Sequence, residues 1–463
     1  VSNNYLETVM TSTHLYCATL LALSATSALA AVGAEEARQL GTTLTPFGAI
    51  AAGNKEGTIP AYTGGLTKAP AGFKRDSGYW VDPYKDEQPL LRIDAANMAQ
   101  HADKLSAGQK KLLKQNPGYY LDIYPTHRTA ALPEHVLKAT VRNATTCKTL
   151  KDNYAVDAAC RGGLPFPIPQ NGYEVMWNVL LRYVGENGFT TSNGRSWIVD
   201  SSGRPTMTSD QYTKVEKPYY QTGLADRDPQ LYWRAFALTN SPARKSGQAE
   251  LIADYLDTVD KPRRAWSYSP GQRRVKLAPE FVYDTPVGAL GGVILYDELF
   301  MFSGKMDRFD FKLLGKKEMY IPYNSYKFNF ECKDEGQFKP KHVNPACERW
   351  ELHRVWVVEA TLKPGQRHAY SKRTYYVDED TYGAGGFDSL DHQGELYRSM
   401  FNTVFQAYDH AIPLALKSVT YDFNRGNFAV LGDASVGGFM IPANAPAERE
   451  MTVEAIVARE TTR

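Results

Sequence analysis

HRVWVVEATLKPGQRHAYSKRTYYVDED, residues 353–380, is the stretch whose reading decides the fold class. VWVVEATL and TYYVDED are β-branched and aromatic runs, and KPGQRHAYSKR between them carries Pro, Gly and charge. Branched and aromatic side chains suit a pleated surface, and Pro and Gly interrupt it, so the pattern predicts a β-hairpin. Comparable short runs recur upstream: LYWRAFAL, AELIADYLD, RRAWSYSP, RRVKLAP, KEMYIPYN and YKFNFEC. Turns with Gly, Pro or Asp separate them. Strands in this succession, without helical patterns between them, predict one curved antiparallel sheet in an α+β chain that is mainly β. Two segments read equally as helix or strand: YEVMWNVLLRY (173–183) and LYRSMFNTVFQAYDH (396–410).

Outward from the sheet, residues 31–170 read as an extended and helical segment wrapping the core. TPFGAIAAGNKEGTIPAYTGG has no period and must lie over a scaffold. Asp94 is placed to cap a short helix and Ser106 a second, ended by Asn116, Pro117 and Gly118. Pro133 opens a third, PEHVLKATVRNATTC, with Glu134 favourable to the helix dipole. Composition marks no boundary within 171–440, the expected sheet domain. The Pro- and Ala-rich tail 441–463 is expected to be peripheral.

MTSTHLYCATLLALSATSALA (10–30) has an uncharged apolar run closed by Ala28-x-Ala30. This is the form of an export signal cleaved after Ala30, so residues 1–30 are expected to be a signal peptide. Four cysteines follow, Cys147, Cys160, Cys332 and Cys347, in two close pairs. Four cysteines allow three pairings. The local one, Cys147 with Cys160 and Cys332 with Cys347, is predicted, and disulfides agree with an exported protein.

The charge balance, 53 Lys plus Arg against 51 Asp plus Glu, lacks the basic excess that nucleic acid demands. No GxSxG, HExxH, phosphate loop or dinucleotide fingerprint occurs, so no catalytic residue, metal or cofactor is predicted. GAGG (383–386) opens no apolar helix and reads as a loop. His353 reads as a structural sheet histidine, and Asp378, Glu379 and Asp380 as a solvated strand end. Asp307, Asp310, Asp297 and Glu298 are the candidate carboxylate pairs, with Lys305, Arg308 and Lys312 as nearby ion-pair partners. A hydrolase acting on lipid or polysaccharide is the enzymatic alternative; a structural envelope protein without ligand is the third.

The densest segment is RRAWSYSPGQRRVKLAPEFVYDTP (263–286), read as a hairpin turning at Pro270 and Gly271. Arg263, Arg264, Arg273 and Arg274 cluster near that turn and are candidates to meet an anionic headgroup or an acidic partner. Trp266, Tyr268, Pro270, Arg273, Arg274, Val275, Pro279, Tyr283, Asp284 and Pro286 form a motif string. It continues through Asp297, Glu298, Phe300, Phe302 and Gly304 to DRFDFKLLGKKEMYIPYN (307–324), then RVWVVEA and KRTYYVDEDTY. Together these residues resemble the Gram-negative family called domain of unknown function 1329 (DUF1329), which is grouped with the LolA and LolB outer-membrane lipoprotein-sorting proteins.

That resemblance implies a LolA/LolB-like open half-barrel, covered by helices around an apolar cavity. It implies a periplasmic or outer-membrane-associated protein that binds a lipid or other large hydrophobic molecule. A resistance-nodulation-type exporter or an outer-membrane protein is the implied partner. The cavity is expected to draw on Trp233, Phe236, Trp266, Tyr268, Phe281, Phe300, Phe302, Trp356 and Val358, although Trp233 and Phe236 differ by an odd step and cannot share a strand face.

Overall fold

A computed structural model describes residues 32–221, 223 and 227–460, so the expected signal peptide lies outside the described residues. Sixteen strands join in one sheet. The first eight are β1 Leu91–Ile93, β2 Leu121–Ile123, β3 Phe189–Val199, β4 Pro205–Glu216, β5 Leu231–Ser241, β6 Ala249–Tyr255, β7 Arg264–Ser269 and β8 Arg274–Leu277. The others are β9 Phe309–Pro322, β10 Trp350–Leu362, β11 Lys372–Asp378, β12 Gly385–Leu390, β13 Leu396–Asn402, β14 Ser418–Asp422, β15 Asn427–Asp433 and β16 Phe439–Met440. The sheet runs β1-β2-β10-β11-β12-β13-β14-β15-β3-β4-β5-β6-β7-β8, with β9 added to β10 and β16 to β3, and it does not close into a barrel.

The hairpin that opened the reading is β10–β11, with Val358 opposite Tyr375. Within this sheet the pairings are antiparallel except one contact, Trp350 beside Ile123, where β2 meets the start of β10. The longest ladder is β9–β10, from Phe309 opposite Leu362 to Pro322 opposite Trp350. Its register shifts beside Gly315, whose φ of +108° suits glycine. The 396–410 segment resolves as strand β13 and a short strand Phe405–Ala407. YKFNFEC, expected as a strand, instead makes a helical turn at Lys327–Glu331. There Asn329 hydrogen-bonds the Ser325 carbonyl through its side chain, and the disulfide at Cys332 closes the turn.

Among the described residues four helices have eight or more residues: α1 Ala107–Gln115, α2 Glu134–Thr146, α3 Gly172–Leu181 and α4 Val453–Glu460. α3 is GYEVMWNVLL, apolar apart from Glu174 and Asn178, and so apolar a helix belongs in a core. Asn171 starts it by accepting the Glu174 N–H, and Val175, Met176, Trp177, Val179 and Leu181 are fully buried. They pack with Val358, Ala360, Tyr375, Val377 and Met400 from one face of the sheet, the inner face. α1 covers the outer face. Ser106 and Gln109 form its reciprocal cap, and Leu112 and Leu113 join Ile93, Leu121, Trp350 and Phe401. Asp388 accepts the Ala107 and Gly108 N–H groups, fixing the helix N-terminus to β12. A Cβ on Gly108 would lie 2.1 Å from Ser399 Oγ, so only glycine permits this approach.

The tail expected to be peripheral is instead anchored at Met451 and Val453. Met451 and Val453 are buried against Phe236, Leu238 and Leu251 on the outer face. Glu448 pairs with Arg227 and Arg234, which also hold the buried Glu216. Disulfides join Cys147 to Cys160 and Cys332 to Cys347. Among the described residues no helix is long and apolar enough to cross a membrane.

Two predictions follow from this framework. Peptide mapping without reduction is expected to recover Cys147 linked to Cys160 and Cys332 linked to Cys347; breaking either bridge is expected to destabilise the fold by about 3 kcal/mol through the freed loop. The second concerns Asp433, which is buried with Lys417 at 3.1 Å and also accepts from Trp197 and Gln337. Burial alone would raise its pKa, but the Lys417 charge and the hydrogen bonds outweigh burial and hold it at about 2. A carboxyl depressed in the folded state stabilises above its unfolded pKa, and the gain disappears as pH falls through about 2. Asp433→Asn strands Lys417 and is expected to cost about 3–5 kcal/mol near neutrality, measured by urea unfolding, with a smaller cost near pH 2.

Candidate functional site

Strand parity builds a cavity at the β3–β6 end of the inner face. In β5, Trp233, Ala235 and Ala237 point inward while Phe236 and Leu238 point out. Register sets Phe189, Val215, Ala235 and Ile252 in one row across four strands. Thr191, Thr213, Ala237 and Glu250 form the next. Each row has an alanine at its middle, and Gly194 and Ser196 add no bulk beside them. The result is a mainly apolar cavity of about 160 Å³ between these strands and the segment 287–300. That is below the usual ligand-pocket range of about 300–1,000 Å³. The expected gap is narrowed because Leu290, Leu299 and Phe300 reach down from the overlying segment.

This roof is anchored by charge. Asp297 receives Arg373 at 2.8 Å and His368 at 3.0 Å. Glu298 is held by the Tyr370 hydroxyl and the Leu295 N–H, with Arg398 at 3.9 Å. Burial pushes the Glu298 carboxyl up to about 7, against the pull of Arg398. The candidate pair Asp297 and Glu298 is therefore a structural clamp between the roof and strands β11 and β13. Asp307 accepts from Tyr283 and pairs with Lys305; Asp310 lies 3.6 Å from Lys363. Immediately after the clamp, Phe300 and Met301 have φ of +58° and +83°. Successive non-glycine residues in the left-handed region store strain, and such strain gathers at ligand clamps. Phe300 turns its ring onto Trp233 at 5.9 Å.

A smaller cavity, about 30 Å³, adjoins the first and shares Phe189, Val215, Trp233, Phe300 and Leu416 with it. Its far wall is polar: Arg182, Lys217, Asp254 and Ser303. Arg263 donates to both Asp254 oxygens at 2.7 Å and to Ser303.

The structure divides the residues expected at the cavity. Trp233 and Phe300 line both cavities and Phe302 the smaller one. Phe281 stacks on the roof residue Tyr296 at 4.6 Å. Val358 is buried in the inner core away from the gap, and Trp356 lies beside it with Lys316 over its ring. Phe236, Trp266 and Tyr268 occupy the outer face instead, because Phe236 is opposite Leu251 and Leu251 opposite Trp266. The arginines divide too: Arg264, Arg273 and Arg274 are exposed, whereas Arg263 is buried on Asp254. The acidic run is also corrected. Asp378, Glu379 and Asp380 are buried, with Asp380 bidentate to Arg128 and Glu379 on Lys316. His353, Asp378 and Asp380 offer ligand atoms within 4.8 Å of one another, but the Arg128 guanidinium already supplies the cation there. Sequence reading missed Arg182 and Lys217; the alanines in LYWRAFAL were the visible sign of a hollow inner face.

Comparison with known proteins adds the family. Residues 92–456 match the family described as "Protein of unknown function (DUF1329)". The chain belongs to this family. Uncharacterized protein PA3922 of Pseudomonas aeruginosa is 42% identical over 419 residues, covering 89% of this chain and 90% of the relative. Among solved structures, a DUF1329 family protein from Desulfovibrio piger is 14% identical with a TM-score of 0.42, covering 61% of this chain and 97% of that one. The LolA superfamily protein NE2245 from Nitrosomonas europaea is 10% identical with a TM-score of 0.36, covering 61% and 98%.

Charge reversal of fate within the arginine cluster is directly testable. Replacing Arg273 and Arg274 together by Ser is expected to change unfolding free energy by less than about 1 kcal/mol, as exposed sites do. Arg263→Met leaves Asp254 buried without its partner and is expected to cost about 3–5 kcal/mol. Chemical denaturation of the two variants side by side measures both.

Proposed function

We propose that this DUF1329 protein is a periplasmic or outer-membrane-associated binding protein for a lipid or other large hydrophobic molecule, delivering it to an envelope partner such as a resistance-nodulation-type exporter or an outer-membrane protein. The observation that carries this reading is the hollow in the inner face: two cross-strand rows with alanine at the centre, under a roof with consecutive strained residues. A core selected only for stability would fill that space, since interiors are close-packed and each methylene matters. Burial binds such a ligand at about 0.8 kcal/mol per CH₂ and lets it leave without chemistry. The 160 Å³ gap admits a ring or a short acyl segment. Two disulfides fit an oxidising compartment such as the periplasm.

The test is native mass spectrometry of protein purified from the periplasm, followed by titration with the neutral fluorescent probe N-phenyl-1-naphthylamine. A co-purified apolar mass and saturable probe binding are expected. Ala237→Phe, which points into the gap, is expected to weaken probe binding at least tenfold while leaving the protein folded. Absence of both ligand and saturable binding in the wild-type protein would overturn the reading.

A further inference from the structure

The smaller cavity holds two buried cations for which the fold supplies no carboxylate. Arg182 and Lys217 are each only 5% exposed and both line it. Lys217 Nζ donates to the Leu180 carbonyl at 2.7 Å, and Arg182 donates to the Val179 carbonyl. Arg182 Nε has no hydrogen-bond partner. Among the described residues no acidic side chain forms an ion pair with either. The nearest acid in the wall, Asp254, is already neutralised by Arg263 through both oxygens. Glu250 lies along the other cavity, against Tyr296. The two carbonyls belong to the C-terminal turn of α3, whose partial negative charge of about half a unit offsets part of one cation. The rest is uncompensated, and burial together with the neighbouring Arg182 charge lowers the Lys217 pKa well below its ordinary value, the mark of a cation site without an anion.

Among the described residues the other buried lysines and arginines are paired with acids, among them Lys417 with Asp433, Arg373 with Asp297, Arg398 with Asp422 and Arg128 with Asp380. The exception falls at one end of an apolar hollow, across the shared wall of Trp233 and Phe300. Resting on the binding function proposed above, we infer that the ligand is an anionic amphiphile, with its carboxylate or phosphate head received by Arg182 and Lys217 and its hydrocarbon part lying under the roof. An incoming anion supplies the acceptors that Arg182 Nε and the remaining Lys217 protons lack. Phe300, whose ring lies 6.0 Å from the Arg182 guanidinium, separates head from tail.

Chain-matched competitors test this against bound N-phenyl-1-naphthylamine: decanoate, decyl phosphate and decanol. At least one anion is expected to bind tenfold or more tightly than decanol. Preference for decanoate assigns a fatty-acid-type head, and preference for decyl phosphate a phosphate ester. Lys217→Met is expected to bring the preferred anion to within twofold of decanol, while Lys217→Arg keeps the preference. In the absence of ligand, Lys217→Met is expected to melt at or above the wild-type temperature, because it removes a buried charge that lacks a counter-ion. Equal binding of all three competitors by the wild-type protein would overturn the head-group assignment and leave the apolar cavity standing. Failure of all three to displace the probe would count against the cavity reading itself. A large fall in the melting temperature of Lys217→Met would show that Lys217 serves only to close α3.

Discussion

Successive side chains of a strand point to opposite faces, and here both faces of the central strands are withdrawn from water. That constraint organises the protein. β10 is buried along most of its length: Val358 and Ala360 join the core with α3, and Val355 and Val357, of the opposite parity, pack with Met319, Ile321 and Tyr323. Its middle, VWVV at 355–358, therefore reads as a continuous apolar run rather than an alternating one. A sheet so placed requires two covers. α3, apolar apart from Glu174 and Asn178, supplies one. The N-terminal third supplies much of the other, and α4 closes the far end where Phe236 and Trp266 face outward. The cavity lies where the inner cover changes from helix to the 287–300 segment, which lacks the regularity to fill the sheet's surface.

Burying both faces also forces polar groups inward, and pairing is the solution the chain adopts. The roof is tied by Asp297 and Glu298 to Arg373, Arg398, His368 and Tyr370, all on or next to neighbouring strands. Pairs of this kind add little net stability over apolar packing, because desolvation opposes attraction. They do specify position: removing one partner leaves a charge in the core. Using them to hold the roof fixes its place over the sheet without filling the space beneath it.

Much of the sheet was legible. The 353–380 hairpin, the Ser106 cap and the two local disulfides depend on neighbours in sequence, so local pattern carries them. The helix–strand ambiguity of 173–183 needed the tertiary fact that α3 is surrounded. The sorting of aromatics between faces was legible within a strand, as the odd step between Trp233 and Phe236 required. It was not legible between strands, because Trp266 takes its face from a register with Leu251 that no local signal states. The acidic run read as solvated because its principal partner, Arg128, lies 252 residues from Asp380. Arg182 and Lys217 were invisible for a related reason. Each is a single basic residue at the end of an element, and only the meeting of α3 with β4 makes them neighbours.

Two features in this molecule oppose stability and sit side by side. One is vacant apolar volume at Ala235 and Ala237; the other is a pair of buried cations without acids. Either alone has a structural reading, as a packing gap or as a helix C-terminal cap. Their adjacency has a further consequence, since the same occupant relieves both. A hydrocarbon segment restores the missing dispersion contacts under the roof, and an anionic group restores the missing counter-charge. Phe300, in the left-handed region, lines both cavities and so stands between the two features. Among the described residues the other buried lysines and arginines have acids, so this lack of counter-charge beside vacant apolar volume forms one coherent deficit, and its shape is amphiphilic.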